Sequence, residues 1–458
     1  PKRDSDAQRN ILMVCPFNGV AETVEELIGE PPAYGLFASG ALATVDTPRR
    51  AHLATADESN AFTYVVVPRA WRRWQAGPRV RCRDLPSAWT QHRWAPSRWL
   101  RPYYCRLAMG STHAVFILGV INAAAVRRAL AAWKRGYSLV ILNESAALYR
   151  GTILDSQTIA VYVHVDDFGA LSDDPDVSNE AIELIVEELS RIGFEVKMLR
   201  CHEVSRYVGL TLEGNGTLWM PTLQKLALVD AAMEELEASD RVWTQEVRSG
   251  VAHFVHYALL WRPALSVLQT IFSFCREDRP FAQAWWPSAR QELRVARGLL
   301  GLLRHRMDRR TAPLVFAADA SGPSGSRACP NGAWAVSAAR LPSQEVEAVA
   351  RRRELHARTP LEDSTLTPLL PIDDLRVPTL PQTIVPAHWV GDQAAWYLLQ
   401  ARKHRVPVHI NRGEFKAANA VLEAGCGGGL PPGTRLVDLG DSRVTCGAWV
   451  KGRSPSWG

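Results

Sequence analysis

Residues 159–169 read IAVYVHVDDFG. A short, unbroken run of apolar and β-branched side chains is a buried strand, and this one stops at two consecutive carboxylates, Asp166 and Asp167. Upstream, residues 51–67 read AHLATADESNAFTYVVV. That stretch predicts a strand, an acidic break around Asp57, then a second β-rich run. Acids at the ends of neighbouring strands suit Mg²⁺, which takes hard oxygen ligands and often keeps substrate phosphates beside them. Two such ions about 4 Å apart stabilise the attacking and leaving oxygens of a phosphoryl displacement. Any one Asp after a strand reads equally well as a turn or cap residue. The order is more specific: strand with Asp, Gly-bearing turn into a helix, strand ending Asp-Asp, helix, short strands.

Outward from this centre, 112–135 predicts a helix. Residues 178–192 predict an amphipathic helix with Ser178 as its cap. GFEVKML, SRYVGLTL and TLWM predict short strands, and 222–306 turns helical. An α/β pattern resumes at Leu314: LVFAADAS as a strand, the Pro-rich 359–386 as an inserted loop, VPVHIN as a strand, GEFKAANAVLEAG as a helix and TRLVDLGDS as a last strand. The boundaries expected are near 216 and 310, giving parts 1–215, 216–310 and 311–458. The 458 residues suit about three domains. With 47% apolar and 22% charged residues, a largely disordered chain is excluded. The eight Cys show no CxxC spacing, which argues against zinc knuckles and a disulfide framework. No apolar run nears ~20 residues and no signal peptide opens the chain, so a cytoplasmic or nuclear protein without membrane contact is expected.

A second set of acids lies in the last third. Asp319 ends one predicted strand, Glu414 opens a helix and Asp441 ends another strand. Singly they read as a turn, a helix-start acid and a cap. Together they converge only in a compact α/β layer, where they would hold two metal ions for phosphodiester hydrolysis. Between the first two strands, residues 69–106 carry ten Arg together with Trp71, Trp74, Trp89, Trp94 and Trp99. Arg neutralises phosphate and aromatic faces stack on bases, so this stretch reads as a nucleic-acid face. It reads also as an insertion whose Trp pack under Arg stems.

In this order the motifs resemble those of reverse transcriptases, nearest to retroelement enzymes of the DIRS type. DESNAF (57–62) resembles the first palm motif, RLAMGSTHAVF (106–116) the LPxG motif, HVDD (164–167) the YxDD box and SRYVGLTL (205–212) the primer grip. WWPSARQELRVARGLLGLL resembles the connecting segment, and DAS, HIN-x-x-E and the D-S strand end resemble a retroelement ribonuclease H domain.

The resemblance implies an α+β multidomain fold: a right-hand palm with partial fingers (1–215), a helical thumb and connection (216–310) and a ribonuclease H-like domain (311–458). It implies an RNA-directed DNA polymerase with RNA template, DNA primer, RNA–DNA hybrid and dNTPs as partners, and two Mg²⁺ (or Mn²⁺) per active site. Asp57 and Asp166 would hold the polymerase metals, with Asp167 in support. Asp319, Glu414 and Asp441 would hold those of the nuclease. Phe62 would exclude a 2′-hydroxyl, Gly110 would let the nascent pair approach, and Lys197 would protonate pyrophosphate. Arg3 would contact the triphosphate. On residue type alone Phe62 reads also as core and Lys197 as a solvated strand-end cation. His164 stands where the family has an aromatic, and reads as a strand residue and not a ligand. Most of the fingers are expected upstream of residue 1, and the fourth nuclease ligand beyond Gly458. The alternative is a truncated or decayed retroelement protein that binds nucleic acid without catalysis.

Overall fold

A computed structural model of the chain describes residues 38–446 except 73–74, 87–93, 112, 132, 134–135, 143–151, 205, 214, 278, 280, 324–328, 351–384, 392–394, 432 and 443. Arg3, Trp74, Trp89 and nearly all of the Pro-rich stretch 359–386 lie outside the described residues. The fold is mixed α+β with several separate sheets.

The two-residue strand β1 (Val45–Asp46) is followed by β2 (His52–Glu58) and the helical turn α1 (Ala61–Tyr64). A short ribbon of β3 (Val80–Arg81) and β4 (Trp99–Leu100) leads into α2 (Ala114–Ala131). Then come β5 (Ser138–Ile141), β6 (Thr152–Ile153), β7 (Thr158–His164), β8 (Asp167–Ser172), α3 (Pro175–Arg191) and β9 (Val196–Leu199). Five of these strands form one sheet in the order β5-β7-β8-β2-β9, antiparallel except for the β5–β7 pair. Strand alternation gives it two unlike faces. One carries Ala56, Val163 and Phe168 against Leu118 and Val126 of α2 and Ile182 and Ile185 of α3. The other carries Leu53, Ala160, Tyr162 and Leu171 into the core of the following helical region. Among the described residues, α2 is the one helix long and apolar enough to cross a membrane. Its Leu118, Ala125 and Val126 are fully buried in the protein core, and 44% of the span is buried.

Two local expectations are corrected here. Ser178 does not cap α3: Pro175 occupies its first turn and the Asp174 side chain accepts from the Asp176 amide, the arrangement that Pro at N1 favours. Ser178 lies within the helix, buried, and its hydroxyl donates to the His52 carbonyl (3.0 Å). The second β-rich run starts instead as the helical turn α1, because Asn60 adopts a left-handed conformation (φ 54°) that turns the chain. Only Val65–Val67 is extended, bonded to Cys105–Leu107.

The next region holds β10 (Leu210–Glu213), β11 (Leu218–Pro221), α4 (Leu223–Ala238), β12 (Arg241–Val242), α5 (Thr244–Ala258), α6 (Thr270–Arg276), β13 (Gln283–Ala284), α7 (Pro287–Leu299) and β14 (His305–Arg306). Position 216 falls in the turn of the β10–β11 hairpin, whose sheet β14 completes. Thr222 caps α4 by accepting from the Lys225 amide (3.3 Å). Between α5 and α6 the chain forms a 3₁₀ segment, Arg262–Val267, with Pro263 in its first turn. Phe274 stacks on Trp285 at 5.0 Å in the core these helices share.

The last region holds β15 (Thr311–Ser321), β16 (Ala333–Arg340), α8 (Ser343–Ala350), β17 (Trp396–Lys403), α9 (Ile410–Gly427) and β18 (Arg435–Leu439), with sheet order β17-β16-β15-β18 and β15 parallel to β18. α9 covers Phe316 and Val336 on one face, and α8 with Trp389 covers Val315 and Val437 on the other. VPVHIN, expected as a strand, is not one. Residues 406–409 join no sheet, and Ile410 and Asn411 already belong to α9, whose amide at Asn411 donates to His409 Nδ1 (3.2 Å). The strand comes earlier, in WYLLQARK. Asp46 ties this region to the first: it pairs with Arg435 and lies 4.0 Å from Arg309.

Candidate active sites built from two sets of carboxylates

Strand register places the first set. Asp57 on β2 stands directly opposite Asp167 on β8 and opposite Lys197 on β9, and His164 on β7 stands opposite Asp167. Directly opposed residues share a face of a sheet. All four therefore lie on one face, at the end where the apolar side chains Leu53 and Leu171 have given way to polar ones. Asp166 sits in the two-residue turn between β7 and β8. Lys197 is exposed.

The turn is clamped from beneath by residues that the motif reading did not single out. The Glu58 amide donates to the Asp166 carbonyl (2.9 Å). Asn122 Nδ2 of α2 donates to the Val165 carbonyl (2.6 Å) and to Glu58 Oε2 (2.9 Å). Val165, a β-branched residue, is held at φ 58°, a region such residues rarely adopt. Glu58 is 2% exposed. Burial, and secondarily the charges of Asp166 and Asp57, push its carboxyl up to about 8 against the opposing bond from Asn122. Burial, then Asp166 and Asp57, push Asp167 up to about 6. The available signals were an acid following Asp57 in a buried strand, which alternation turns to the core face, and a lone Asn in an apolar helix.

His164 stacks on Tyr162 (ring centroids 5.9 Å apart), shares a 3.2 Å hydrogen bond with its hydroxyl, and is lowered by burial. His164 is the last residue of β7 beside the two-residue turn, opposite Asp167. Further along this face Tyr207 lies across Gly169 so closely that a Cβ there would come within 2.8–2.9 Å of the phenol. Tyr207 is itself held by a tight turn through Val208 (φ 45°) and Gly209 (φ 80°). Phe62 is 7% exposed and packed in the first core. Gly110 adopts φ 93° in an exposed turn before α2, a conformation that favours Gly.

The second set is drawn tighter. Asp319 comes from β15, Glu414 from the second turn of α9, and Asp441 from just past β18; their carboxylate oxygens lie within 4.8 Å of one another. Hard oxygen donors at that spacing suit a divalent ion such as Mg²⁺. Among the described residues, Asp57, Asp166 and Asp167 do not form a set of that spacing. Glu414 is buried, which together with Asp319 and Asp441 raises its carboxyl, while the Ala320 amide bond lowers it. Gly413 lets α9 approach the sheet: a Cβ there would stand 3.0 Å from Ala320 Cβ.

A fourth acid, Asp438 on β18, was not anticipated. It lines a cleft of about 370 Å³ with Glu414 and Thr445. Although open to that cleft, its carboxyl is pushed up to about 7 by the packing around it and then by Glu414.

No family model matches the chain, and no curated protein matches it. Among the solved structures that resemble it weakly are two of foamy viral origin. One is a foamy viral protease-reverse transcriptase in complex with RNA/DNA hybrid, 15% identical over 67% of this chain and 33% of that one, with a TM-score of 0.39. The other is a foamy viral protease-reverse transcriptase dRH in complex with ds DNA, 13% identical over 89% of this chain and 59% of that one, with a TM-score of 0.39. The chain thus spans between a third and three fifths of their lengths. At that level of superposition neither structure assigns a role to any residue of this chain.

Proposed function

We propose that the chain is an RNA-directed DNA polymerase of a retroelement, with a ribonuclease H-like domain that cuts RNA in the hybrid. The observation that carries this reading is the register of Asp57 opposite Asp167, with Asp166 in the turn between β7 and β8. It puts the acids of two separated sequence motifs at one end of one sheet. In this reading residues 1–215 form palm and partial fingers, 216–310 thumb and connection, and 311–458 the nuclease domain.

The primer 3′-hydroxyl attacks the α-phosphate of a dNTP, and pyrophosphate leaves. Asp57 and Asp166 would hold Mg²⁺ or Mn²⁺, which supplies positive charge to the attacking and leaving oxygens. Asp167, opposite Asp57, supports the site. Lys197, opposite Asp57, gives a proton to the departing pyrophosphate. Phe62 supplies the bulk that rejects a 2′-hydroxyl, and Gly110 the open backbone beside the nascent pair. Asp319, Glu414 and Asp441 would hold the metals of the nuclease site.

Primer extension on an RNA template tests the polymerase. Extension that Asp166→Asn reduces by at least ~10²-fold supports it, and extension unchanged by that variant sinks it. One observation favours a second reading, in which the protein binds nucleic acid without turnover: the wider spacing of the first set of acids. Tight primer–template binding with no extension in Mg²⁺ or Mn²⁺ is its signature.

A further inference from the structure

The ribbon that carries β3 and β4 presents an unusual surface. From β4 onward exposure alternates: Trp99, Arg101 and Tyr103 are exposed, whereas Leu100, Pro102 and Tyr104 are half-buried. Trp99 is 56% and Tyr103 54% exposed. Across the ribbon Arg81 pairs with Trp99 and sets its guanidinium 5.1 Å from the ring centroid. Exposed Arg79 stands two residues before it. Beneath, Cys82 is buried and Val80 half-buried, so the ribbon has a packed side and an open side.

What sets these two exposed aromatics apart is the Arg side chains around them. Their setting limits what can bind there. Asp84 is the only acid between Glu58 and Glu144, against ten Arg between 69 and 106, and it lies 3.7 Å from Arg83. A partner matched to this face is polyanionic and also carries flat apolar groups at intervals. Trp99 lies in β4 and Tyr103, which forms an isolated bridge to Ala76, follows four residues later with Arg101 between them. Aromatic, cation, aromatic is the pattern that meets base, phosphate, base.

We propose that this open face is a platform for single-stranded nucleic acid. Resting on the polymerase reading above, the strand it holds is the unpaired template. Bases stack on Trp99 and Tyr103, and Arg79, Arg81 and Arg101 take the phosphates.

The test is fluorescence anisotropy of the full chain with an unstructured labelled 20-mer, and with primer–templates that have either a long 5′ overhang or a blunt end. Binding is measured also in the Asp166→Asn chain, so that it is read apart from any polymerase activity. Trp99→Ala with Tyr103→Ala should weaken 20-mer binding at least about tenfold. Trp99→Phe with Tyr103→Phe should keep most of it. Replacing Arg79, Arg81 and Arg101 by Gln should make the slope of log K against log salt shallower by about 2. The affinity gained from the overhang should vanish in the alanine variant. Unchanged 20-mer affinity in that variant overturns the platform, as does a loss on charge removal alone. Lost 20-mer binding with an intact overhang gain overturns the template placement. Failure to extend primers leaves the binding result standing, so the two readings fail separately.

Discussion

A buried carboxyl beside two other carboxyls is disfavoured as an anion, and Glu58 meets that situation by holding a proton. Its Oε1 and the Asn122 Oδ1 are both buried without a hydrogen-bond partner; protonation turns one acceptor into a donor. Because the folded pKa is raised from 4.5 to about 8, the native state holds a proton that the unfolded chain releases. The associated stability is full below pH ~4.5 and is lost as pH rises through about 8. In metal-free buffer the Tm should therefore fall between pH 5 and 8, and Glu58→Gln should flatten that fall. Glu58→Ala should cost on the order of 2–3 kcal/mol by chemical denaturation, since it orphans Asn122 and leaves a cavity. On the polymerase reading proposed above, it should also lower kcat more than it raises KM for dNTP, because the turn carrying Asp166 loses a support. A wild-type Tm that does not change across this pH range in EDTA would show that Glu58 is ionised in the fold.

Among the elements, the strand β8 illustrates how one face changes its task along its length. Leu171 joins the core, Gly169 admits the Tyr207 ring and Asp167 faces Asp57. Tyr207 is 4% exposed and pinned by its own turn, so it cannot withdraw. Gly169→Ala should cost about 1–3 kcal/mol through overpacking. Adding Tyr207→Ala to that variant should relieve the clash, which a double-mutant cycle in urea reads as coupling between the two sites. Additive losses would mean that the ring does not pack on the glycine.

For the whole molecule, the joint between the first and last regions rests on one carboxylate facing two guanidinium groups. Asp46 is 17% exposed at its side chain, Arg435 16% and Arg309 30%. Burial, and then the neighbouring Arg435, lower Arg309 to about 10 despite Asp46. Asp46→Asn removes the charge that compensates both and should cost on the order of 2–3 kcal/mol, less than for a fully buried pair. Because the two regions have separate cores, the variant should also separate the melting transition into two in calorimetry. Adding Arg435→Met to Asp46→Leu should recover much of the loss, whereas a further decline would show that the joint is held elsewhere.

What could be read from the amino-acid order alone were the features that local chemistry decides. The apolar run of β7 ends at its acids, and the chain turns helical after β11. The spacing of Asp319, Glu414 and Asp441 along alternating elements was enough to propose their meeting. The tertiary structure decided the rest. β17 is half-exposed to exposed along its whole length, so its side chains carry no burial period, and pairing with β16 alone makes it a strand. VPVHIN has strand composition but lies where the chain must turn into α9. Glu58 and Asp438 differ from ordinary surface acids only through what packs on them. Propensity and periodicity report how a residue suits its own element, whereas burial, register and the charge of neighbours arise only when distant elements are brought together.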